Sequence, residues 1–531
     1  MSGRAGDVRL GLTLSGAISL GAYEGGVLAA LVAGIQALNA RDDSRGALRI
    51  DAIAGASAGS ITGLLTARAL LAGLDPIDTM YGAWVDTPQL ERLVDGRDSP
   101  LSTQATSETA VQLLAGTPQP GRAQATPIRV HMALACLRGL DYEIGRIGGP
   151  PIRASTFLDW SEWTIRPEYD VDWYVQSGAV KAALASGAHA AAFPPIGLDR
   201  SDPDVQAGYA RARIDRDHFP PSNFLWYTDG GTIDNEPLGR ALDLTEAIDV
   251  APGDELGEAN RLHLMITPDP ARPTSGDDVW STERPAPTWA RTGLRATKLM
   301  RSQHLYDDLR RLEKTNSRIA WLQQVETTLL AIIDGTVDDP AQALRATSED
   351  IRRQREQLLG PEDLRPRDEG SRRADSPLAE ALGEALALAT GFAGKRDIML
   401  AVISPEVLPE VARGESSPRD VLAGDFLGHF GGFMAQELRE SDFALGYRST
   451  LTWLETGELA DRGLADDLTE AAIAGVEASR VEWEERHQRK WRADGLGESN
   501  LRTRSLGERF QALRLALRAA RIAFRQARKG L

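Results

Sequence analysis

Residues 48–71 read LRIDAIAGASAGSITGLLTARALL, which is an apolar run, a short glycine-containing turn and a second apolar run. The first run, Leu48–Ala54, is typical of a buried β-strand, and the second, from Ile61, is typical of a helix. Between them lies Gly55-Ala56-Ser57-Ala58-Gly59, a GxSxG sequence with Ser57 at its centre. Small residues on both sides of a serine permit a sharp strand-to-helix turn that presents its hydroxyl group. The pattern predicts a nucleophile elbow in which Ser57 attacks an acyl carbon.

A second glycine-bearing turn follows an earlier apolar run. Val8–Leu14 predicts a buried strand, and Ser15-Gly16-Ala17-Ile18-Ser19-Leu20-Gly21 then leads into a helix. A P-loop would require Lys and then Ser or Thr after its second spaced glycine, whereas Gly21 is followed by Ala22 and Tyr23. The dinucleotide-binding sequence GxGxxG does not occur there either. We therefore expect an oxyanion hole, which needs only backbone N–H donors.

A third segment carries a candidate base for the serine. Phe224–Thr228 is strand-like and ends in Asp229-Gly230-Gly231. Two glycines after an aspartate allow a close neighbour to approach its carboxylate. Asp-Gly pairs also mark solvated turns in many proteins, and this plainer interpretation stays open for Asp229 taken alone.

Together, the three segments resemble the patatin-like phospholipase family in the order and content of its motifs. This resemblance implies a Ser/Asp dyad with Ser57 as the nucleophile and Asp229 as the base. It implies that the oxyanion donors are the backbone amides of Gly16, Ala17 and Ile18, with Ala58 as a further candidate. The glycines that support the motifs are Gly21, Gly55, Gly59, Gly230 and Gly231.

Further segments extend the resemblance. Asp51 stands where the family usually has an aspartate before the elbow, and residues 185–196 are similar to its Ala-Ser-x-Ala…Phe-x-Pro segment. Residues 426–433 and 439–448 are similar to a block of larger bacterial members, whereas the core similarity covers about residues 7–268. The chain departs from the family in its first loop. Where the family commonly has three consecutive glycines and an arginine, this chain has Gly16-Ala17-Ile18 and then Leu20.

Other catalytic chemistries are less well supported by the sequence. His189 and His263 are the nearest candidates for a Ser/His/Asp triad, although a single histidine without a partnered motif is more often structural. Cys136, the one cysteine, lies in a strand-like run where a core thiol is more common than a nucleophile. No HExxH sequence and no Cys/His spacing typical of a metal site occurs. We expect no metal ion and no organic cofactor.

Composition and charge limit the classes of function that fit this chain and indicate where in the cell it is expected to lie. The chain has 531 residues and a formal net charge of −16, which argues against a nucleic-acid partner. The N-terminus has no apolar signal stretch, and no uninterrupted run of about 18 apolar residues occurs. Arginine predominates over lysine and alanine is abundant, as in GC-rich bacterial genomes. We expect a cytoplasmic bacterial protein.

The order of apolar and polar segments predicts the organisation of the chain. Strand-like and helix-like runs alternate in the first half, which indicates an α/β core with a mostly parallel sheet and an active site at the carboxyl ends of its strands. The resemblance makes this a patatin-like three-layer core. The expected regions are a catalytic core at 7–275, a helical insertion or domain at 280–395, a strand at 396–410 that is a candidate to rejoin the core sheet, and a helical C-terminal region at 420–531.

The C-terminal region ends in a basic amphipathic pattern. Arg514, Arg518, Arg521 and Arg525 recur at three- and four-residue spacing beside a narrow apolar stripe. Such a helix is expected to contact anionic membranes peripherally, and each basic residue near the surface adds about 1 kcal/mol. Packing against the acidic surface of the chain itself, or against another subunit of a homo-oligomer, is the alternative that stays open.

These observations lead to a functional hypothesis. We expect a serine acyl hydrolase that acts on phospholipids, lysophospholipids or other lipid esters through a covalent acyl-enzyme. Two alternatives remain. One is an acyltransferase that passes the same acyl group to an alcohol or thiol, and the other is a catalytically weak lipid-binding or scaffold protein.

Overall fold

The structure of the protein is a computed structural model. It describes residues 7–89, 93, 99–144, 152–212, 214–216, 219–249, 260–268, 313, 315–340, 398–491, eight residues between 342 and 354, and Arg514, Arg518 and Arg521. The chain divides into two compact units, one formed by residues 1–305 with 400–531 and the other by residues 306–399.

The larger unit is built on a sheet of eight described strands. These are β1 (Val8–Leu14), β2 (Leu48–Gly55), β3 (Ile128–Ile144), β4 (Ile152–Ile165), β5 (Ile196–Asp199), β6 (Phe224–Asp229), β7 (Asn260–Ile266) and β8 (Leu400–Ile403). Successive pairings follow the path β5-β6-β3-β2-β1-β7-β8, in which β6 and β2 bond to different parts of one edge of β3 and β4 bonds to its other edge. The run from β3 to β8 is parallel, whereas β4, β5 and β6 add antiparallel pairs. The prediction of a mostly parallel α/β sheet is confirmed.

The same unit contains most of the described helices. They are α1 (Gly21–Asn39), α2 (Ala58–Ala72), α3 (Pro76–Tyr81), α4 (Gln104–Leu114), α5 (Val171–Gln176), α6 (Ala179–Ser186), α7 (Pro203–Arg211), α8 (Leu238–Asp249), α9 (Pro409–Ala412), α10 (Pro418–Val421), α11 (Gln436–Leu454), α12 (Glu458–Asp461) and α13 (Asp466–His487). A π-helical turn lies at Gly82–Asp86, and 3₁₀ turns lie at Ile18–Leu20, Gly230–Thr232, Pro405–Val407 and Gly431–Met434.

Helices cover both faces of the sheet. Gly11 of β1 faces α8, because a methyl group added at Gly11 would lie 2.7 Å from Cγ2 of Thr245. Leu14, three residues further along the strand, points to the opposite face. There it meets α2 at Gly59 and Gly63, which would contact the Leu14 side chain if they carried a methyl group. Every residue of β1 is buried, as a strand covered on both faces requires.

Helix α1 lies in the core of the larger unit. The segment Ile18–Asn39, with 22 residues and a mean hydropathy of 1.6, is long and apolar enough to cross a membrane by length and composition. Of its most apolar window, 94% is buried inside the protein, as in the central helix of a packed domain.

Two glycines allow α1 and α11 to cross at close range. A methyl group on Gly26 would lie 1.9 Å from the carbonyl oxygen of Phe443, and one on Gly446 would lie 2.0 Å from that of Tyr23. The Thr450 hydroxyl of α11 also donates a hydrogen bond to a carbonyl of α1, at 3.1 Å. The backbones of the two helices therefore touch without intervening side chains.

We predict that Gly446→Ala lowers the free energy of unfolding by about 2–3 kcal/mol, because the new methyl group cannot fit between two backbones. Urea denaturation followed by circular dichroism measures this change. Gly121→Ala is the matched control, since nothing lies within 4 Å of a methyl group added there. Equal stability of the two variants would contradict the close crossing of α1 and α11.

The smaller unit is mainly helical where it is described. Residues 315–333 form one helical segment. Trp321 donates to Gln354 at 2.9 Å, and Thr328 lies 2.8 Å from Thr347, so the segment runs antiparallel to the helical residues that follow it. Most of the predicted insertion at 280–395, namely residues 280–312 and 355–395, lies outside the described residues.

A larger share of the residues is described after the predicted insertion, from 398 to 491. Within the predicted strand at 396–410, β8 is hydrogen-bonded in parallel to β7. Helices α11, α12 and α13 occupy much of the predicted helical region from 420 onward. Of the basic C-terminal pattern, Arg514, Arg518 and Arg521 are described and helical, whereas Arg525 lies outside the described residues.

Candidate active site

Ser57 occupies the tight turn between β2 and α2. Its backbone has φ 52° and ψ −120°, a conformation that suits glycine and strains a residue with a Cβ atom. Gly55 and Gly59 make the turn sterically feasible, because a methyl group on Gly55 would lie 2.5 Å from the Gly59 carbonyl oxygen. Helix α2 begins at the next residue, so its first N–H groups surround this turn. This is the local geometry that a nucleophile elbow requires.

Strand β3 brings the turn after β2 and the end of β6 together. One edge of β3 pairs with β4 over Ile128–Ala135, so β2 and β6 both bond to its other edge. On that edge Gly55 lies opposite Met132, and Asp229 lies opposite Leu134, two residues further along. Two residues of a strand span about 7 Å. The serine turn and the aspartate therefore meet at one place on the sheet.

Ser186, at the end of α6, fixes the serine turn to β3. Its hydroxyl accepts a hydrogen bond from the Ser57 N–H at 2.9 Å and donates one to the Ala133 carbonyl at 2.6 Å. A methyl group on Gly230 would lie 1.9 Å from the same Ala133 oxygen. The Ala133 carbonyl of β3 therefore accepts the hydrogen bond of Ser186 and lies directly against the backbone at Gly230. Ser186 lies in the Ala-Ser-x-Ala segment, and its sequence alone does not indicate this contact.

The turn after β1 approaches Ser57 from another side. A methyl group on Gly16 would lie 3.1 Å from Cβ of Ser57 and 2.4 Å from Oδ1 of Asn235. The same Asn235 oxygen would lie 2.7 Å from a methyl group on Gly231. The Gly231 N–H in turn donates to Oδ1 of Asp229 at 2.9 Å. Asn235 therefore connects the first turn with the aspartate.

The first turn differs in one respect from the predicted oxyanion hole. The Gly16 N–H donates to the backbone carbonyl of Asn235 at 2.9 Å, so it is not available to an oxyanion. Among the described residues, the N–H groups of Ala17, Ile18 and Ala58 have no hydrogen-bond acceptor. These three amides are the remaining candidate donors.

Asp229 is buried at the end of β6. Its side chain belongs to a residue only 1% exposed, and its N–H donates to the Ala188 carbonyl at 3.0 Å. Two residues earlier, the Tyr227 hydroxyl donates to the buried Asp159 carboxylate at 2.6 Å. Arg200 forms an ion pair with Asp159 at 3.4 Å. This buried network fixes the strand that presents Asp229.

A narrow apolar pocket with a volume of about 80 Å³ lies beside Ser57. Its wall combines aliphatic and aromatic side chains with a few threonines. The lining residues include Ile18, Ser57, Ala58, Ile61, Leu65, Trp84, Leu93, Thr103, Thr106, Thr109, Leu113, Leu184, His189, Phe193 and Phe433. Mostly apolar pockets with few polar groups are typical of small-molecule sites, and this one suits a hydrocarbon chain.

The two histidines considered for a triad lie in different places. His189 lines the pocket, and its Nδ1 accepts the Ala191 N–H at 3.3 Å, so this nitrogen is already hydrogen-bonded within its own turn. His263 lies on β7 opposite Gly11, and burial lowers its pKa to about 3. Neither position favours a histidine base.

Two other candidates from the sequence have structural roles. Asp51 lies within β2. Its carboxylate accepts two hydrogen bonds from Arg261, one of them at 3.0 Å, and forms an ion pair with Arg9 at 3.8 Å. Cys136 is buried in β3 opposite Tyr227, and burial raises the pKa of its thiol. Among the described residues, no three His, Cys, Asp or Glu side chains are grouped as a metal site requires.

The fold and the site together define a class of protein. A strained serine turn at the carboxyl ends of parallel strands, beside a narrow apolar pocket, is typical of α/β enzymes that hydrolyse acyl esters. Residues 12–242 match the model of the patatin-like phospholipase family, so the chain contains a patatin-like phospholipase domain. This match supports lipid acyl hydrolase activity in general. A search of curated proteins found no match to the chain.

We predict that Ser57→Gly raises the free energy of unfolding by about 1 kcal/mol relative to Ser57→Ala, because glycine adopts the backbone conformation of residue 57 without strain. Both variants lack the hydroxyl, so the comparison isolates the backbone term. Urea denaturation of the two proteins measures the difference. A Ser57→Gly protein no more stable than Ser57→Ala would show that the turn is not strained.

We also predict that Gly16→Ala slows ester hydrolysis by at least about 100-fold, because the new methyl group displaces Asn235 and crowds the Ser57 side chain. Hydrolysis of a soluble p-nitrophenyl ester provides the assay. Gly121→Ala again serves as the control and is expected to retain the parent rate. Unchanged activity of Gly16→Ala would contradict the close contact between the first turn and the serine.

Proposed function

We propose that this protein is a serine acyl hydrolase that cleaves phospholipids, lysophospholipids or other lipid esters through a Ser57/Asp229 dyad. The observation that carries this proposal is the meeting of the serine turn and Asp229 on one edge of β3, beside an apolar pocket. The motif resemblance and the family match of residues 12–242 support the same conclusion.

The reaction has two chemical halves. Ser57 Oγ attacks the ester carbonyl while Asp229 accepts the hydroxyl proton and then transfers it to the leaving alcohol. In the second half, Asp229 accepts a proton from water, the hydroxide attacks the acyl carbon, and the proton returns to Ser57 as the fatty acid leaves. The free N–H groups of Ala17, Ile18 and Ala58 stabilise the oxyanion in both halves. The reaction requires no metal ion or organic cofactor.

The surroundings of the dyad support this chemistry. Asp229 is almost completely buried, so its carboxylate is shielded from bulk water beside the serine turn. The pocket beside Ser57 accepts the acyl chain and excludes water from the reacting bond. The proposal covers lipid esters as a class, because an apolar pocket does not specify the head group or the acyl position of the substrate.

The location and partners form a second part of the proposal. We propose a cytoplasmic bacterial enzyme that reaches its substrate by peripheral membrane contact through the basic C-terminal helix. Arg514, Arg518 and Arg521 are helical at the spacing that places them on one side of a helix, which supports this contact. Docking of that helix on a second copy in a homo-oligomer is the alternative.

A catalytically weak lipid-binding protein is the second candidate function. It is favoured by the first turn, where Ile18 takes φ 55° and the Gly16 N–H is already hydrogen-bonded. Fewer donors would reduce the stabilisation of an oxyanion, since one lost donor costs about 100- to 1,000-fold in rate. Such a protein would bind lipid without releasing fatty acid.

We predict that the parent protein releases free fatty acid from mixed phospholipid and lysophospholipid micelles, and that Ser57→Ala and Asp229→Asn each reduce the rate at least about 1,000-fold. Asp229→Asn preserves the shape of the side chain and its acceptor for Gly231, so a loss would report the missing base. Mass spectrometry measures the products, and a fluorophosphonate probe measures the reactivity of Ser57.

The outcomes separate the candidates. His189→Asn is expected to reduce the rate by less than about tenfold, and a loss as large as that of Asp229→Asn would favour a histidine-dependent triad instead. Binding of lipid without fatty acid release or probe labelling would favour the lipid-binding protein.

A further inference from the structure

We propose that residues 422–434, held by Arg439 of α11, form part of the active site. We call these residues the anchoring segment. It fixes the backbone of the first turn through Ser19 and closes the apolar pocket with Phe433. The catalytic consequence rests on the proposed hydrolase function. The family match ends at residue 242, so it does not include the anchoring segment.

Ser19 is the point of attachment on the first turn. It is completely buried, and its N–H donates to the His429 carbonyl at 3.1 Å. Its hydroxyl donates to the same carbonyl and accepts the Gly432 N–H at 3.0 Å. A methyl group on Gly432 would lie 2.8 Å from the Ser19 hydroxyl oxygen, so the contact is tight. Ser19 directly follows Ile18, whose N–H is a candidate oxyanion donor.

Backbone strain is concentrated where the two segments meet. Of the six described non-glycine residues with positive φ, Ile18, Leu427 and His429 lie here, and Ser57 lies beside them. Such conformations persist only where the surrounding structure holds them, and they cluster at functional sites. The bonds from Ser19 to the anchoring segment supply this restraint for Ile18.

Arg439 holds the anchoring segment against the pocket wall. This residue is 1% exposed, and its Nη1 donates to the Gly432 carbonyl at 2.8 Å. Its Nε and Nη2 donate to the Val85 carbonyl at 2.9 and 2.8 Å. Val85 directly follows Trp84, which lines the pocket. One guanidinium therefore connects Gly432 with the pocket wall.

The other end of the segment is also attached to α11. The buried Asp442 carboxylate accepts the N–H groups of Ala423 and Gly424 at 2.7 and 3.0 Å. Phe430, between these attachments, contacts the His189 ring with centroids 5.3 Å apart, and Phe433, next to Gly432, lines the pocket. Two side chains of α11, Arg439 and Asp442, thus hold the anchoring segment in place. Phe433 of this segment forms part of the pocket wall.

The experiment compares Ser19→Ala with the full-length parent protein. Ser19→Ala removes both hydroxyl bonds to the anchoring segment, and we expect kcat to fall about 10- to 100-fold while KM changes less than about twofold. Amide hydrogen exchange at residues 16–21 is expected to accelerate at least about tenfold, because their backbone loses its restraint. Arg439→Lys keeps the charge but not the planar set of donors, and it should change both measurements in the same direction.

Ser44→Ala is the matched control, since Ser44 is buried and its hydroxyl donates one bond to the Leu38 carbonyl at 3.0 Å. This control should leave kcat and exchange at residues 16–21 unchanged. Unchanged exchange in Ser19→Ala, or faster exchange with an unchanged kcat, would overturn the proposal. If the parent protein neither hydrolyses esters nor reacts with the fluorophosphonate, the hydrolase function fails, whereas the exchange result still decides whether the segment restrains the first turn.

Discussion

The site depends on a contact between two backbones at the carbonyl of Leu14. This carbonyl, at the end of β1, accepts the Ala56 N–H at 3.2 Å, and a methyl group on Gly59 would lie 2.5 Å from it. The turn after β1 and the turn after β2 are therefore in direct contact. Because protein interiors are packed as densely as organic crystals, a larger residue at position 59 would separate the two turns. The position of the first turn relative to Ser57 follows from this contact.

The local sequence was sufficient to predict the strands that carry the motifs. The predictions for β1, β2 and β6 are confirmed within an α/β sheet, because each is an apolar run that ends at a glycine-containing turn. The strand-like run that contains Cys136 is confirmed as part of β3, which continues to Ile144, whereas β4 was not predicted. Many β4 side chains are partly exposed and mix polar with apolar types, so its local pattern does not distinguish a strand from a loop.

The sequence proposes Ser57 and Asp229 as a candidate dyad but does not reveal which residues surround them. Ser57 and Asp229 follow from motifs, but their meeting on β3 depends on pairing between strands that are far apart in the chain. Ser186 lies 129 positions from Ser57, and such a contact leaves no periodic signal in the sequence. The role of Gly16 differs from the prediction because a glycine-rich motif does not reveal which of its N–H groups is already hydrogen-bonded.

The bond between Ser19 and Gly432 joins residues 413 positions apart, which affects how the protein is completed during translation. At about 5–20 residues per second, tens of seconds separate the synthesis of these two residues. In the second half of that interval, after residue 229 has been made, the nascent chain carries both Ser57 and Asp229, but the turn beside Ser57 still has no partner in the anchoring segment for the Ser19 hydroxyl. A product terminated between residues 229 and 432 would keep both candidate dyad residues and still lack this bond. Full assembly of the site therefore requires the ribosome to pass residue 432.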